Sequence, residues 1–224
     1  QSSADFEKNN VVLGRYFSPD IKNEIEETGL NFSEYIPKNL NVAVLFTDIV
    51  SFTKLSEKME PNDVLELLSE YQTIMVECIF EFNGTVDKFI GDAVMANFGT
   101  PKSYGNDAQN AFNCAKKMKS MLHEWNKNRI DNKQKVIEHR IGIHYGQCIV
   151  GNVGGEKRVE YTVLGDTVNV ASRLCDLSKI FNNDLLISKA LYDQIEIVEE
   201  YEEFDSHPIK GRKERLDLIR VFLD

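Results

Sequence analysis

Two aspartates, one lysine and an Asn–Arg pair have types and spacings suited to chemistry. Asp48 closes the apolar run Val42-Ala43-Val44-Leu45-Phe46-Thr47-Asp48, and Asp92 lies in Gly91-Asp92, 44 residues further on. Carboxylates brought together at the tip of an apolar strand repel each other and lose hydration, unless a cation sits between them. A hard divalent ion such as Mg²⁺, held by one or two carboxylates and by phosphate oxygens, is the natural occupant. Taken singly, Asp48 reads equally as a helix cap and Asp92 as a turn residue. Lys88 lies four residues before Asp92, inside a short apolar segment where an unpaired lysine is unusual, and reads as a positioned donor for a ligand. Asn169 and Arg173 are at i and i+4, so a helix would set them on one face. An amide beside a guanidinium suits a sugar next to a phosphate, because arginine offers phosphate oxygens a planar fork.

Positioning these residues requires particular elements. The run from Val42 fits a strand buried on both faces. After Pro61, apolar residues Val64, Leu67, Leu68, Tyr71, Ile74, Met75, Cys78, Ile79 and Phe82 recur at three and four residues, which predicts a long amphipathic helix ending at Asn83-Gly84. Thr85–Ile90 and Ala93–Phe98 read as a hairpin around Gly91-Asp92. A second helix follows Asn106-Asp107 through Trp125, with a polar loop expected over Lys127–Lys135. Glu138–Tyr145 and Gln147–Gly151 read as a second hairpin around Gly146. Thr167–Phe181 reads as a third helix, and Leu185–Ser188 and Leu216–Phe222 as later strands. The order β-α-β-β-α-β predicts an α+β fold with a ferredoxin-like core and C-terminal α/β additions. In such a fold the first strand and the Gly91-Asp92 hairpin are neighbours, which would bring Asp48 and Asp92 together.

Composition narrows the classes. The chain has 224 residues, 42% hydrophobic and 28% charged, which is ordinary globular composition. A chain of this size buries roughly 70% of its unfolded surface and needs no staples. A net charge of −10 disfavours a general nucleic-acid binder and docking on an anionic membrane, but not a small anionic ligand met by local cations. The longest aliphatic-aromatic run, Val42–Phe46, is far short of the roughly 20 residues a membrane span needs. Cys78, Cys114, Cys148 and Cys175 form no CxxC pair, so a reducing, cytoplasmic compartment is expected. Residues 1–40 read as a linker or helical leader and 41–224 as the folded domain; the absent initial Met suggests a piece of a longer protein. The glycines at 151, 154 and 155 invite a phosphate-loop reading, but no Gly-Lys dipeptide occurs, which excludes a Walker loop. His144 is expected to pack or cap a strand, and Glu196–Glu203 to be a solvated acidic face.

Four separated segments together resemble one family. Phe46-Thr47-Asp48-Ile49-Val50-Ser51-Phe52-Thr53, the Lys88 to Asp92 segment, Arg140-Ile141-Gly142-Ile143-His144-Tyr145-Gly146 and the Gly165 to Arg173 segment are similar to the catalytic domain of class III adenylyl cyclases, from about Asn41 to about Leu223. The resemblance implies that Asp48, Asp92 and the Ile49 carbonyl bind two Mg²⁺ or Mn²⁺ ions. It implies that Lys88 and Thr162 read the purine, that Asn169 orients the ribose and that Arg173 stabilises the transition-state phosphate. Arg140 and Lys210 match positions that hold the polyphosphate tail. It implies head-to-tail homodimers, with Asp48, Asp92 and Arg140 of one chain facing Lys88, Thr162, Asn169, Arg173 and Lys210 of the other.

Many members of the family carry Asp where this chain has Thr162. The threonine resembles the subgroup termed IIIb, several of which respond to bicarbonate. Base preference follows independently from donor and acceptor chemistry. Adenine presents an N1 acceptor and an N6 donor. Lys88 only donates and the Thr162 hydroxyl can accept, so the pair complements adenine, whereas the N1–H of guanine would face an ammonium. Such a buried mismatch costs about 1–3 kcal/mol. The expected activity is therefore conversion of ATP to 3′,5′-cyclic AMP and pyrophosphate. The alternatives are a guanylyl cyclase and a catalytically silent dimerisation or nucleotide-sensing module.

Overall fold

The computed structural model describes residues 38–155 and 158–223. The rest, including all but the last three residues of the expected leader, lies outside the described residues. The first strand, β1 (Lys38–Ile49), contains the predicted apolar run and begins four residues before it. Its side chains alternate between two cores, as the period of a strand dictates. Ala43, Leu45 and Ile49 pack with residues of two long helices, α2 (Pro61–Glu81) and α3 (Asp107–Asp131), including Tyr71, Met75, Ile79, Phe112 and Met118. Val42, Val44 and Phe46 face the other way, against Ala171 and Cys175 of helix α4 (Asp166–Leu177). Burial on both faces is why the run is continuously apolar rather than alternating.

The sheet order is β2-β3-β1-β4-β6-β8-β7 among the described strands, with β5 pairing β4 off this path. Strands β2 (Thr85–Ile90) and β3 (Ala93–Phe98) form the predicted hairpin, and β3 pairs antiparallel with β1 from Ala43↔Phe98 to Thr47↔Val94. The fold is thus the expected α+β type, with the ferredoxin-like strand order at its centre and β6 (Leu185–Ser188), the short helix α5 (Lys189–Tyr192), β7 (Tyr201–Pro208) and β8 (Arg215–Val221) added at the C-terminal end. A short helix α1 (Phe52–Ser56) follows β1. Among the described residues no helix is long and apolar enough to cross a membrane.

Three expectations are corrected. The hairpin at Gly146 does not form: residues His139–Gly155 run as one strand, β4, antiparallel to β1 from Lys38↔Val150 to Ile49↔His139. Its hairpin partner is instead β5 (Arg158–Leu164). Gly146 serves close packing rather than a turn, since a Cβ there would lie 2.7 Å from Thr167 Oγ1 at the start of α4. Helix α3 continues to Asp131 through half of the predicted polar loop, where Arg129 is buried and its Nε donates to the Lys135 carbonyl at 2.7 Å. Strand β7 takes in Tyr201–Glu203 of the expected acidic face, and those residues are exposed as predicted. The 3₁₀ turn Ser178–Phe181 extends α4 to the predicted end.

Candidate active site

Asp48 and Asp92 are brought together as the strand order requires. The β2–β3 turn lies beside the C-terminal end of β1, where Asp92 Oδ2 accepts the backbone N–H of Ile49 at 2.9 Å. On the other side of β1, Asp48 is in register with Arg140 of β4, and Arg140 Nε donates to Asp48 Oδ1 at 3.0 Å. That bond uses one of the five guanidinium donors. Burial pushes the Asp48 carboxyl up to about 6, against the pull of Arg140, and the nearby Asp92 charge pushes the same way as burial. A desolvated carboxylate next to a second one is the situation a cation relieves. The donors are all oxygens (two carboxylates and the Ile49 carbonyl), which fits a hard ion such as Mg²⁺ or Mn²⁺. No three His, Cys, Asp or Glu side chains form a metal cage among the described residues, so an ion here would complete its shell with water or ligand oxygens.

Behind this pair lies a buried polar network. Tyr71 OH is 2.8 Å from Thr47 Oγ1 and 3.0 Å from His139 Nδ1. Thr47 and His139 immediately precede Asp48 and Arg140, so α2 fixes both strands at the level of the site. Lys119 of α3 donates to the His139 carbonyl at 2.8 Å, and burial lowers its pKa to about 8. Sequence reading missed this network, whose bonded members are 20 to 92 residues apart.

The other candidates form two further groups. Lys88 and Thr162 flank Asp87, whose side chain is fully buried. Thr162 Oγ1 donates to Asp87 at 2.8 Å, and Lys88 Nζ is 3.6 Å from the same carboxylate. Asp87 is adjacent to Lys88 in sequence, but its partner on β5 could not be seen there. The third group lies on α4 and the segment before β8. Asn169 is exposed one turn before Arg173, as the i, i+4 spacing predicts. Arg173 and Lys210 line one cavity of about 190 Å³ with Leu177, Ile180 and Ile209. Helix α4 is tied at its first residue by an Arg212–Asp166 ion pair. Hydrogen bonds join Asp92 to Ile49 and Arg140 to Asp48, Lys88 and Thr162 meet through Asp87, and Arg173 and Lys210 share a cavity with Asn169 one helical turn away.

The chain matches the family described as the adenylate and guanylate cyclase catalytic domain over residues 34–220. It is 32% identical over 217 residues to adenylate cyclase 1 of Rhizobium meliloti, covering 89% of this chain and 33% of that protein. The chain therefore spans about one third of that relative's length. Among solved structures it is similar to the adenylyl cyclase CyaB from P. aeruginosa, with TM-score 0.75 and 33% identity, covering 84% of this chain and 96% of that one. It is also similar to the guanylyl cyclase Cya2, with TM-score 0.73 and 29% identity over 82% of this chain and 92% of that one. With the family matched from before β1 into β8, and the two aspartates meeting at the end of the central strand, this chain belongs to the adenylate and guanylate cyclase catalytic domain family.

Proposed function

We propose that the chain is an adenylate cyclase that converts ATP to 3′,5′-cyclic AMP and pyrophosphate, in sites shared head to tail by two copies. The observation that carries this reading is the approach of Asp92 to Ile49, next to Asp48, in a chain of the cyclase family. Asp48, Asp92 and the Ile49 carbonyl would hold two Mg²⁺ or Mn²⁺ ions. Such ions supply neutralisation of phosphate charge and a lowered pKa for the ribose 3′-hydroxyl.

The chain's own residues bind and orient. Lys88 donates to adenine N1 and Thr162 accepts from N6. Asn169 bonds the ribose so that the 3′-oxygen lies in line with the α-phosphorus. A 3′-O–P bond forms, the bridging bond to the β-phosphate breaks, and the hydroxyl proton passes to solvent. Arg173 meets the charge that develops on the α-phosphate, while Arg140 and Lys210 hold the β- and γ-phosphates. Charge stabilisation rather than side-chain proton transfer dominates such a reaction.

Two features support shared sites. Lys88 and Thr162 meet at Asp87 rather than at the metal-site aspartates, and Arg173 and Lys210 line a cavity to which Asp48, Asp92 and Arg140 do not contribute. Large apolar side chains are also exposed on β2 (Phe89, Ile90) and on the β4–β5 hairpin (Ile149, Val153, Leu164), a surface suited to a second copy. Bicarbonate stimulation rests on Thr162 alone and is tested by a dose series at fixed pH. The deciding experiment is a product assay with ATP and GTP in parallel, with Mg²⁺ or Mn²⁺. Cyclic AMP as the main product is expected. Tight ATP binding with no product would overturn the reading in favour of a silent nucleotide-sensing module, and a preference for GTP in favour of a guanylyl cyclase.

A further inference from the structure

The contact between Asp87 and Thr162 bears on how a base is chosen. Strand β2 is irregular at this point: Val86 is opposite Ala96 and Lys88 opposite Met95, so Asp87 is the extra residue of a β-bulge. A bulge re-aims a side chain relative to the regular pleat. Here the Asp87 carboxylate is fully buried and reaches β5. Its Oδ1 and Oδ2 accept from Thr162 Oγ1 at 2.8 and 3.0 Å, and Oδ2 also accepts the N–H of Val163 at 3.1 Å. A threonine hydroxyl has one proton and two lone pairs, and an ionised carboxylate can only accept. Burial raises the Asp87 pKa above the usual carboxylate value, while the hydrogen bonds from Thr162 and from the Val163 N–H and the nearby Lys88 ammonium all favour the ionised form. The proton of Thr162 is therefore committed inward, and only lone pairs remain for a ligand.

We propose that Asp87 is a specificity-positioning residue: by taking the Thr162 proton it turns a hydroxyl that could serve either purine into an acceptor that selects the 6-amino group of adenine over the 6-oxo group of guanine. The inference rests on the adenylate cyclase reading and deepens it. Without Asp87 the same hydroxyl could rotate and donate to guanine O6. With it, a 6-oxo base meets lone pair against lone pair, next to the N1–H already opposed by Lys88. Asp87 acts through Thr162 and does not itself touch the base.

The test is the ratio of kcat/KM for ATP to that for GTP. Asp87→Asn puts an amide NH₂ within reach of Thr162 Oγ1 and frees the hydroxyl proton. The ratio should fall about tenfold. In a Thr162→Val background, Asp87→Asn should leave the ratio unchanged, because the group it acts through is gone. A folded Asp87→Asn chain with the wild-type ratio, or an equal fall in both backgrounds, would overturn the proposal while leaving ATP cyclisation intact. Wild-type protein that cyclises neither nucleotide overturns the underlying reading instead. A substrate series on unaltered protein covers the case in which Asp87→Asn does not fold. Purine riboside triphosphate keeps the N1 acceptor and lacks the N6 donor; its 6-methoxy derivative keeps N1 and adds an acceptor. An acceptor-only hydroxyl predicts that the 6-methoxy compound is the slower of the two, and a freely rotating hydroxyl makes it the faster.

Discussion

Asp92 meets β1 through a main-chain atom: its carboxylate accepts the N–H of Ile49 at 2.9 Å, one residue beyond Asp48. A main-chain donor does not depend on the side chain at 49, so the meeting of the two carboxylates is built into the strand itself. The isoleucine is almost completely buried and serves the core, while its peptide serves the site.

Asp92→Asn should separate structure from chemistry. An amide oxygen can still accept from Ile49, so the fold should persist, but the charge is gone. The expected result is a cooperative melt close to wild type with kcat lower by about 100-fold or more. Unchanged kcat would remove Asp92 from the metal site.

Mixing two inactive chains tests shared sites. Asp48→Ala damages one half-site and Arg173→Ala the other. Random pairing makes half the dimers mixed, each with one intact site of two, so activity should recover to about a quarter of wild type. No recovery in mixed dimers shown to form by tagged pull-down would place the whole site within one chain.

Changing both base-reading residues should reverse preference. Lys88→Glu with Thr162→Cys places an acceptor opposite guanine N1–H and removes the acceptor opposite N6. The ATP/GTP ratio of kcat/KM should fall by about 100-fold, read from parallel product assays.

Gly142→Ala should be severely destabilising although it adds one methyl group. The new Cβ would lie 2.3 Å from Cys175 N, 2.7 Å from Leu174 C and 2.9 Å from Ala171 O, all backbone atoms of α4. A backbone cannot swing aside as a flexible side chain does. A loss of about 3 kcal/mol is expected, seen as a lower urea midpoint at unchanged slope.

Acid should destabilise the protein partly through His144. Its Nδ1 is 2.7 Å from Ser188 Oγ, and burial lowers its pKa to about 4, opposed by Asp166 and aided by Arg212. The unfolded chain takes up this proton near 6.5 and the folded chain only near 4. The contribution is thus complete above pH 6.5 and is lost as pH falls towards 4. For a partly exposed ring this is about 2 kcal/mol. His139 is buried too and shifts in the same direction, so the measurement is the difference in stability between wild type and His144→Gln across that window. A difference independent of pH would exclude His144.

What the sequence could show was whatever its periodicity or local spacing encodes. The unbroken apolar run at Val42 revealed a doubly buried strand, and the β-α-β-β order then implied that Asp48 and Asp92 meet. Asn169 and Arg173 share an exposed helix face because helical spacing requires it. Gly146 misled because a glycine that ends a strand and one that lets a helix approach look the same in sequence; Thr167, which decides between them, is 21 residues away. Strand β7 was hidden because exposed edge residues such as Glu202 and Glu203 carry no apolar alternation. Asp87 stood in view beside Lys88, but its role depends on a bulge and on a strand 75 residues away.

That bulge also determines what a change of chain length would do. Val86 already faces Ala96 and Lys88 already faces Met95, so deleting Asp87 outright would let the ladder close in regular register. The sheet would survive a one-residue loss here, and Lys88 would keep its place opposite Met95. Thr162 would be released, its hydroxyl free to turn, and the Val163 N–H and Lys88 would lose the same carboxylate. In this strand a deletion would keep the sheet register, at the cost of one buried N–H left without its carboxylate, and would fall on the accuracy with which one base is told from another.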